Sequence, residues 1–187
     1  MPLTDETLGE IDTQVRSGFE SRERVIEIFC EEMYAPGDLD PNEVSSAVDA
    51  AIQAHEQAKT TWPEITDCER LDRAFVRLAS EGIICLHNAG YTQSDGFDDY
   101  REAYRSHPQG GSVRGYCFYH GQDTERAVEG GGLFLAFGPV DCKQEETEGP
   151  AVGRLITAAL TTEGLQSRWD GTFAERIFIP QFTWQRR

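Results

Sequence analysis

Gly82-Ile83-Ile84-Cys85-Leu86-His87-Asn88-Ala89-Gly90-Tyr91-Thr92-Gln93-Ser94-Asp95-Gly96 is the stretch on which the fold turns. Residues 83–87 are short and apolar, bounded by Gly82 and by Asn88-Ala89-Gly90, as a buried strand should be. Upstream, Thr66-Asp67-Cys68-Glu69 has the form of a capping box, and Leu71, Phe75 and Leu78 follow at helical spacing until Gly82 stops the helix. Downstream, a helix is predicted over about 94–104, then a strand at 116–119, a short helix after Asp123 and a strand at 133–137. Gly130-Gly131-Gly132 reads as the turn into that last strand. Like Gly110-Gly111, it lacks the lysine and the spacing of a phosphate loop.

The charged segment 138–149 reads as a solvated loop. Pro150 then opens a predicted helix carrying Val152, Leu155, Ile156, Ala159 and Leu160, with Gly164 at its end. Residues 165–169 and 176–184 are predicted to close the chain as an antiparallel hairpin around Asp170-Gly171. This alternation places residues 67–187 in the α/β class, bordering on α+β. It implies a mixed sheet of four to five strands with helical crossovers and a terminal hairpin.

Residues 1–66 read as an acidic helical region. Leu8, Ile11 and Val15 share one helical face, and Val25, Ile26, Phe29 and Met33 a second, after Ser21. Asp40-Pro41-Asn42-Glu43 combines a cap, a first-turn proline and an acid at the third position, so a helix is expected to start there and run toward Trp62. His55 lies on its apolar face.

Charge divides along the same line. The 187 residues carry a net charge of −16, and residues 1–66 hold fifteen acids against four bases. That field repels phosphate backbones and attracts basic surfaces, so nucleic acid is not expected as a partner and a basic protein is. No apolar run approaches a bilayer span, the opening lacks a secretory pattern, and five dispersed cysteines do not form a disulfide scaffold. A cytoplasmic protein that does not enter a membrane is expected.

The ends of the first two strands carry the polar residues. His87 ends the first strand and Asn88, Tyr91, Ser94 and Asp95 come after it, while Tyr119 ends the second, with His120 and Asp123 beyond. Parallel strands would bring these residues to one edge, where ligands bind in sheets with helical crossovers. His87, Asp95, His120 and Asp123 are acid/base candidates, since a carboxylate fixes the tautomer of a neighbouring histidine. Asn88, Tyr91, Ser94 and Tyr119 are candidate ligand contacts. Cys85 or Cys117 could serve as a nucleophile, and Cys85, His87, Cys117 and His120 form a weak metal set, opposed by strand alternation. No cofactor is expected.

The segments GIICLHNAGYTQSDG, GYCFYHGQDTERAVEGGGLFLAFG and VGRLITAALTTEGLQSRWDGT resemble an uncharacterised bacterial family known only as a domain of unknown function. The resemblance covers about residues 67–187 and implies no reaction, ligand or catalytic residue. Two functions follow from the residues: a binding or regulatory protein that meets a basic protein partner, and a small-molecule enzyme or sensor using the strand ends near His87 and His120.

Overall fold

The computed structural model describes residues 3–108 and 110–187, which form two compact units, residues 1–66 with 185–187, and residues 67–184. The first unit contains α1 (Asp5–Ser17), α2 (Arg22–Glu27), a π-helical turn (Ile28–Met33) and α3 (Pro41–Lys59). Each α-helix begins at a polar cap. Thr4 accepts from the Thr7 N–H at 3.1 Å, Ser21 from Arg24 at 3.2 Å and Asp40 from Asn42 at 2.9 Å. Pro41 sits in the first turn of α3, where its missing N–H would have had no helical partner. Ile11, Val25, Phe29, Leu39, Val44 and Val48 make the core of this unit.

The stripe expected through Met33 breaks at its end. The π-turn holds more residues per turn than an α-helix, so it rotates the later residues off the face that Val25 and Phe29 bury. Met33 is left 48% exposed.

The second unit contains α4 (Asp67–Ser80), β1 (Ile83–Leu86), α5 (Gln93–Ser106), β2 (Gly115–Phe118), α6 (Gly121–Val128), β3 (Leu133–Pro139), α7 (Glu145–Thr162) and β4 (Ile177–Ile179). The sheet order is β1-β2-β3-β4, with β1 and β2 parallel and the remaining pairs antiparallel. The class is therefore α/β with a mixed four-stranded sheet.

Alternation divides the sheet into two faces. Ile84, Tyr116, Phe118 and Ala136 pack with Ala89 and with Tyr100 of α5 on one face. Ile83, Cys117, Leu133, Leu135, Ile177 and Ile179 are buried on the other, which α4 and α7 cover. Each large apolar side chain removed from water contributes roughly 2 kcal/mol. Gly96 lets α5 lie close to the sheet, because a Cβ there would run into the Phe118 ring.

Two expectations are corrected. Helix α7 begins at Glu145 and absorbs part of the predicted loop, so Pro150 lies inside it. Three glutamates, 145, 146 and 148, occupy its first turn, where the helix dipole favours them, and the bond that Pro150 cannot make falls near this exposed end. The terminal hairpin shrinks to β4 and one bridge, Arg168 to Phe178. Pro180 has no N–H to continue the ladder, and Phe182 and Trp184 are buried from irregular chain instead.

Candidate functional site

The parallel pairing of Leu86 with Phe118 sets the two polar strand ends side by side. Their backbones stay joined beyond the sheet. The Ala89 N–H donates to Tyr119 O at 2.8 Å, the Gly121 N–H to Gly90 O at 2.9 Å, and the Gln122 N–H to Tyr91 O at 3.1 Å. Glycine at 121 permits this approach, since a Cβ would lie 2.7 Å from the Tyr91 ring. Gly90 has φ +54°, in the left-handed region that glycine tolerates.

Two side-chain links cross the same seam. His87 Nδ1 lies 2.9 Å from the Tyr119 hydroxyl, and His87 Nε2 lies 3.4 Å from Asp72 Oδ1. The imidazole rests on Phe75 with centroids 4.6 Å apart, and fully buried Tyr119 meets Trp184 edge-on. The Thr124 hydroxyl donates to Asn88 Oδ1 at 2.8 Å, tying α6 to the turn after β1. Asn88 itself has φ +49°.

Thr92 caps α5 and Asp95 completes the capping box, accepting from the Thr92 N–H and hydroxyl, both at 2.9 Å. Those bonds hold its carboxyl below the ordinary range. Ser94 is exposed beside it, and Tyr91 is 54% exposed, with its hydroxyl donating to Glu125 at 3.2 Å.

A buried ionic cluster lies at the start of α6. Asp123 Oδ2 receives His120 Nε2 at 3.1 Å, the His120 backbone N–H at 3.3 Å and a close Nη2 contact from Arg176. Asp123 and His120 are both almost wholly removed from solvent. Burial lowers the His120 pKa. Asp123 opposes that shift, Arg176 reinforces it, and the Tyr91 backbone and Asp95 oppose it more weakly.

Two buried polar atoms of this cluster, His120 Nδ1 and Arg176 Nε, make no hydrogen bond among the described residues. Neither Arg176 nor Asp72 stands out in the sequence, because no local motif connects them to the strand ends. Thr124, directly after Asp123, was equally silent.

The cysteine candidates occupy a different face. Cys85 and Cys117 are in-register neighbours on β1 and β2, within the apolar layer beneath α4 and α7. Burial raises both thiols well above their ordinary value, which suppresses the thiolate a nucleophile needs. His120 is turned instead toward Asp123 and Arg176. Among the described residues no group of three or more His, Cys, Asp or Glu side chains is arranged to hold a metal ion.

The first unit has an open groove of about 590 Å³ lined by Leu3, Leu8, Asn42, Glu43, Ser46 and Ala47. Leu8 is 42% exposed there. Asp5 and Asp12 stand one helical turn to either side of Leu8, and Glu43 belongs to the lining itself. The four bases of residues 1–66 already have carboxylate partners: Arg16 with Asp12, Arg22 with Asp49, Arg24 with Glu32 and Lys59 with Glu56. Asp5, Glu6, Glu20, Glu31 and Glu43 have no cation partner among the described residues.

Fold and sites together define a two-unit α/β protein with an acidic helical unit and a mixed sheet whose parallel strand ends are cross-linked by polar side chains. The chain belongs to the family Domain of unknown function (DUF6891), whose model matches residues 2–187. That match takes in the helical unit as well as the sheet. No curated protein and no solved structure matches the chain. Among the described residues no helix is long and apolar enough to cross a membrane.

Proposed function

We propose that the chain is a binding protein whose helical unit takes a basic, apolar-faced segment of a protein partner. The observation that carries this reading is the groove between α1 and α3, with an apolar floor at Leu3, Leu8 and Ala47 and acids at its border. A helix presenting leucines at i, i+3 and i+7 beside lysines or arginines complements both features. The residues of the strand ends support a scaffold role for the sheet. Asn88, Asp95, Tyr119 and Asp123 each already make intramolecular hydrogen bonds.

Fluorescence anisotropy of a labelled amphipathic Lys/Leu helix, with a Glu/Leu helix as control, tests the idea on the full chain. The basic peptide should bind, and raising the salt to about 0.5 M should weaken it about tenfold through screening. Leu8→Asp should weaken it further without lowering thermal stability, since Leu8 is already in contact with solvent. Equal binding of both peptides, or of neither, would sink the reading.

A second reading, a small-molecule enzyme or sensor at the strand ends, is favoured by His87. Its side chain keeps 27% of its surface exposed where the two polar motifs meet. Thermal-shift screening against small metabolites should then yield a ligand whose stabilisation disappears in His87→Gln. If every stabilising ligand acts equally on that variant, the strand ends are scaffold only.

A further inference from the structure

One corner of the sheet in the second unit differs in character from the rest of this acidic chain. Phe134 of β3 and Phe178 of β4 are in-register partners, stacked with centroids 4.3 Å and planes 21° apart, and both stay half-buried. Arg168 is paired with Phe178 through two backbone hydrogen bonds of 2.7 and 3.0 Å. Directly opposed residues of an antiparallel pair project to the same side, so Arg168 shares the face of the two rings. Arg176 and Arg126 complete the group, with guanidinium carbons 5.3 and 5.6 Å from the Phe134 ring centroid. Two guanidiniums thus lie over the Phe134 ring, and the pairing of Arg168 sets a third arginine on the same face.

Their donors are not used up. Arg126 and Arg168 are exposed and form no ion pair among the described residues. Arg176 gives Nη2 to Asp123, and 28% of its side-chain surface stays exposed. Stacking on Phe134 restrains the Arg126 and Arg176 planes, so part of the ordering that binding requires is already in place.

We propose that this arginine–phenylalanine platform binds a single phosphomonoester group, such as that of a nucleoside monophosphate. Guanidinium forks match phosphate oxygens bidentately, and a dianion with three oxygens suits several arginines better than a lone carboxylate does. The planar faces of Arg126 and Arg168 also offer a surface on which a base can stack. A polymer of phosphates is disfavoured, because the chain carries a net charge of −16. The platform lies in the second unit and stands or falls separately from the groove of the first.

Calorimetric titration of the full chain with adenosine monophosphate, adenosine and inorganic phosphate, in chloride buffer, provides the test. The nucleotide should bind and adenosine should not. The double variant Arg126→Ala/Arg168→Ala should bind the nucleotide at least about tenfold more weakly, with a thermal midpoint within about 4 °C of the parent, since the stability lost is one exposed stacking contact. Inorganic phosphate binding with the same arginine dependence also supports the site and locates the affinity in the phosphate group. Failure of both phosphate compounds to bind, or binding that survives the double substitution, overturns the proposal.

Discussion

The Tyr119 hydroxyl and His87 Nδ1 lie 2.9 Å apart, linking residues 32 positions apart across the ends of two parallel strands. On the other side of the imidazole, Nε2 lies 3.4 Å from Asp72 Oδ1. Tyr119 is fully buried, and its hydroxyl is the polar end of an otherwise apolar packing against Phe75 and Trp184.

Tyr119→Phe keeps that packing and removes the bond. It should lower stability by about 1 kcal/mol in urea unfolding and move the His87 ring nitrogen resonances. Unchanged resonances would mean that the bond is not made in solution.

Asp123→Ala should be more damaging, since it leaves Arg176 and His120 without their shared anion. Removing one partner of a buried pair costs roughly 3–5 kcal/mol, and the 28% exposure of the Arg176 side chain puts this case at about 3. The denaturant midpoint of Asp123→Ala beside that of the double variant Asp123→Ala/Arg176→Met is informative. Partial recovery in the double variant is expected, because the stranded cation is gone.

Stability should fall on mild acidification. Burial depresses the His120 pKa in the folded chain, so the neutral form is preferred there. The unfolded chain takes up a proton near its ordinary value of about 6.5, and the stabilisation drains away from there downward until folded His120 also protonates. His55, depressed chiefly by burial as well, acts in the same direction. Asp95, whose pKa is lowered, loses its contribution only below about pH 4. The thermal midpoint should therefore drop between pH 7.5 and 5.5, and the drop should be smaller in His120→Gln.

Gly96→Ala would ordinarily favour a helix, yet here the added methyl meets the Phe118 ring and lies 3.0 Å from the Ala89 carbonyl oxygen. A loss of about 1–3 kcal/mol is expected from overpacking. A thermal midpoint equal to or above that of the parent would show that α5 does not sit so close to the sheet.

Thiol labelling distinguishes the cysteines. Cys142 is exposed and should react first with iodoacetamide, whereas Cys68 and Cys117 are buried and Cys85 is held protonated by its surroundings. Mass mapping after brief labelling in the native state should find the modification at Cys142. Equally fast reaction at Cys85 or Cys117 would mean that the layer beneath α4 and α7 is open to solvent.

The boundary between the readable and the unreadable runs between local and distant contacts. Asp40 could be recognised as a cap because it binds a backbone group only two residues away. The short strand opening at Ile83, and the charge of −16, were equally legible. Pro150 misled the reading of α7, because a proline near a helix start does not reveal how many residues precede it within the helix. The π-turn before Tyr34 and the early end of β4 also depended on packing that no local pattern records.

The polar strand-end segments by themselves determined that His87, Asn88, Tyr119 and His120 would lie at strand ends, since alternation and turn residues act over a few positions. Tertiary structure alone decided which of them touch. The parallel register of β1 and β2 joins His87 to Tyr119, the turn after β1 meets α6 through Asn88 and Thr124, and Arg176 reaches Asp123 from 53 residues away. Backbone geometry fixes neighbours within a turn or two, whereas contacts over dozens of residues exist only once apolar burial has brought the elements together.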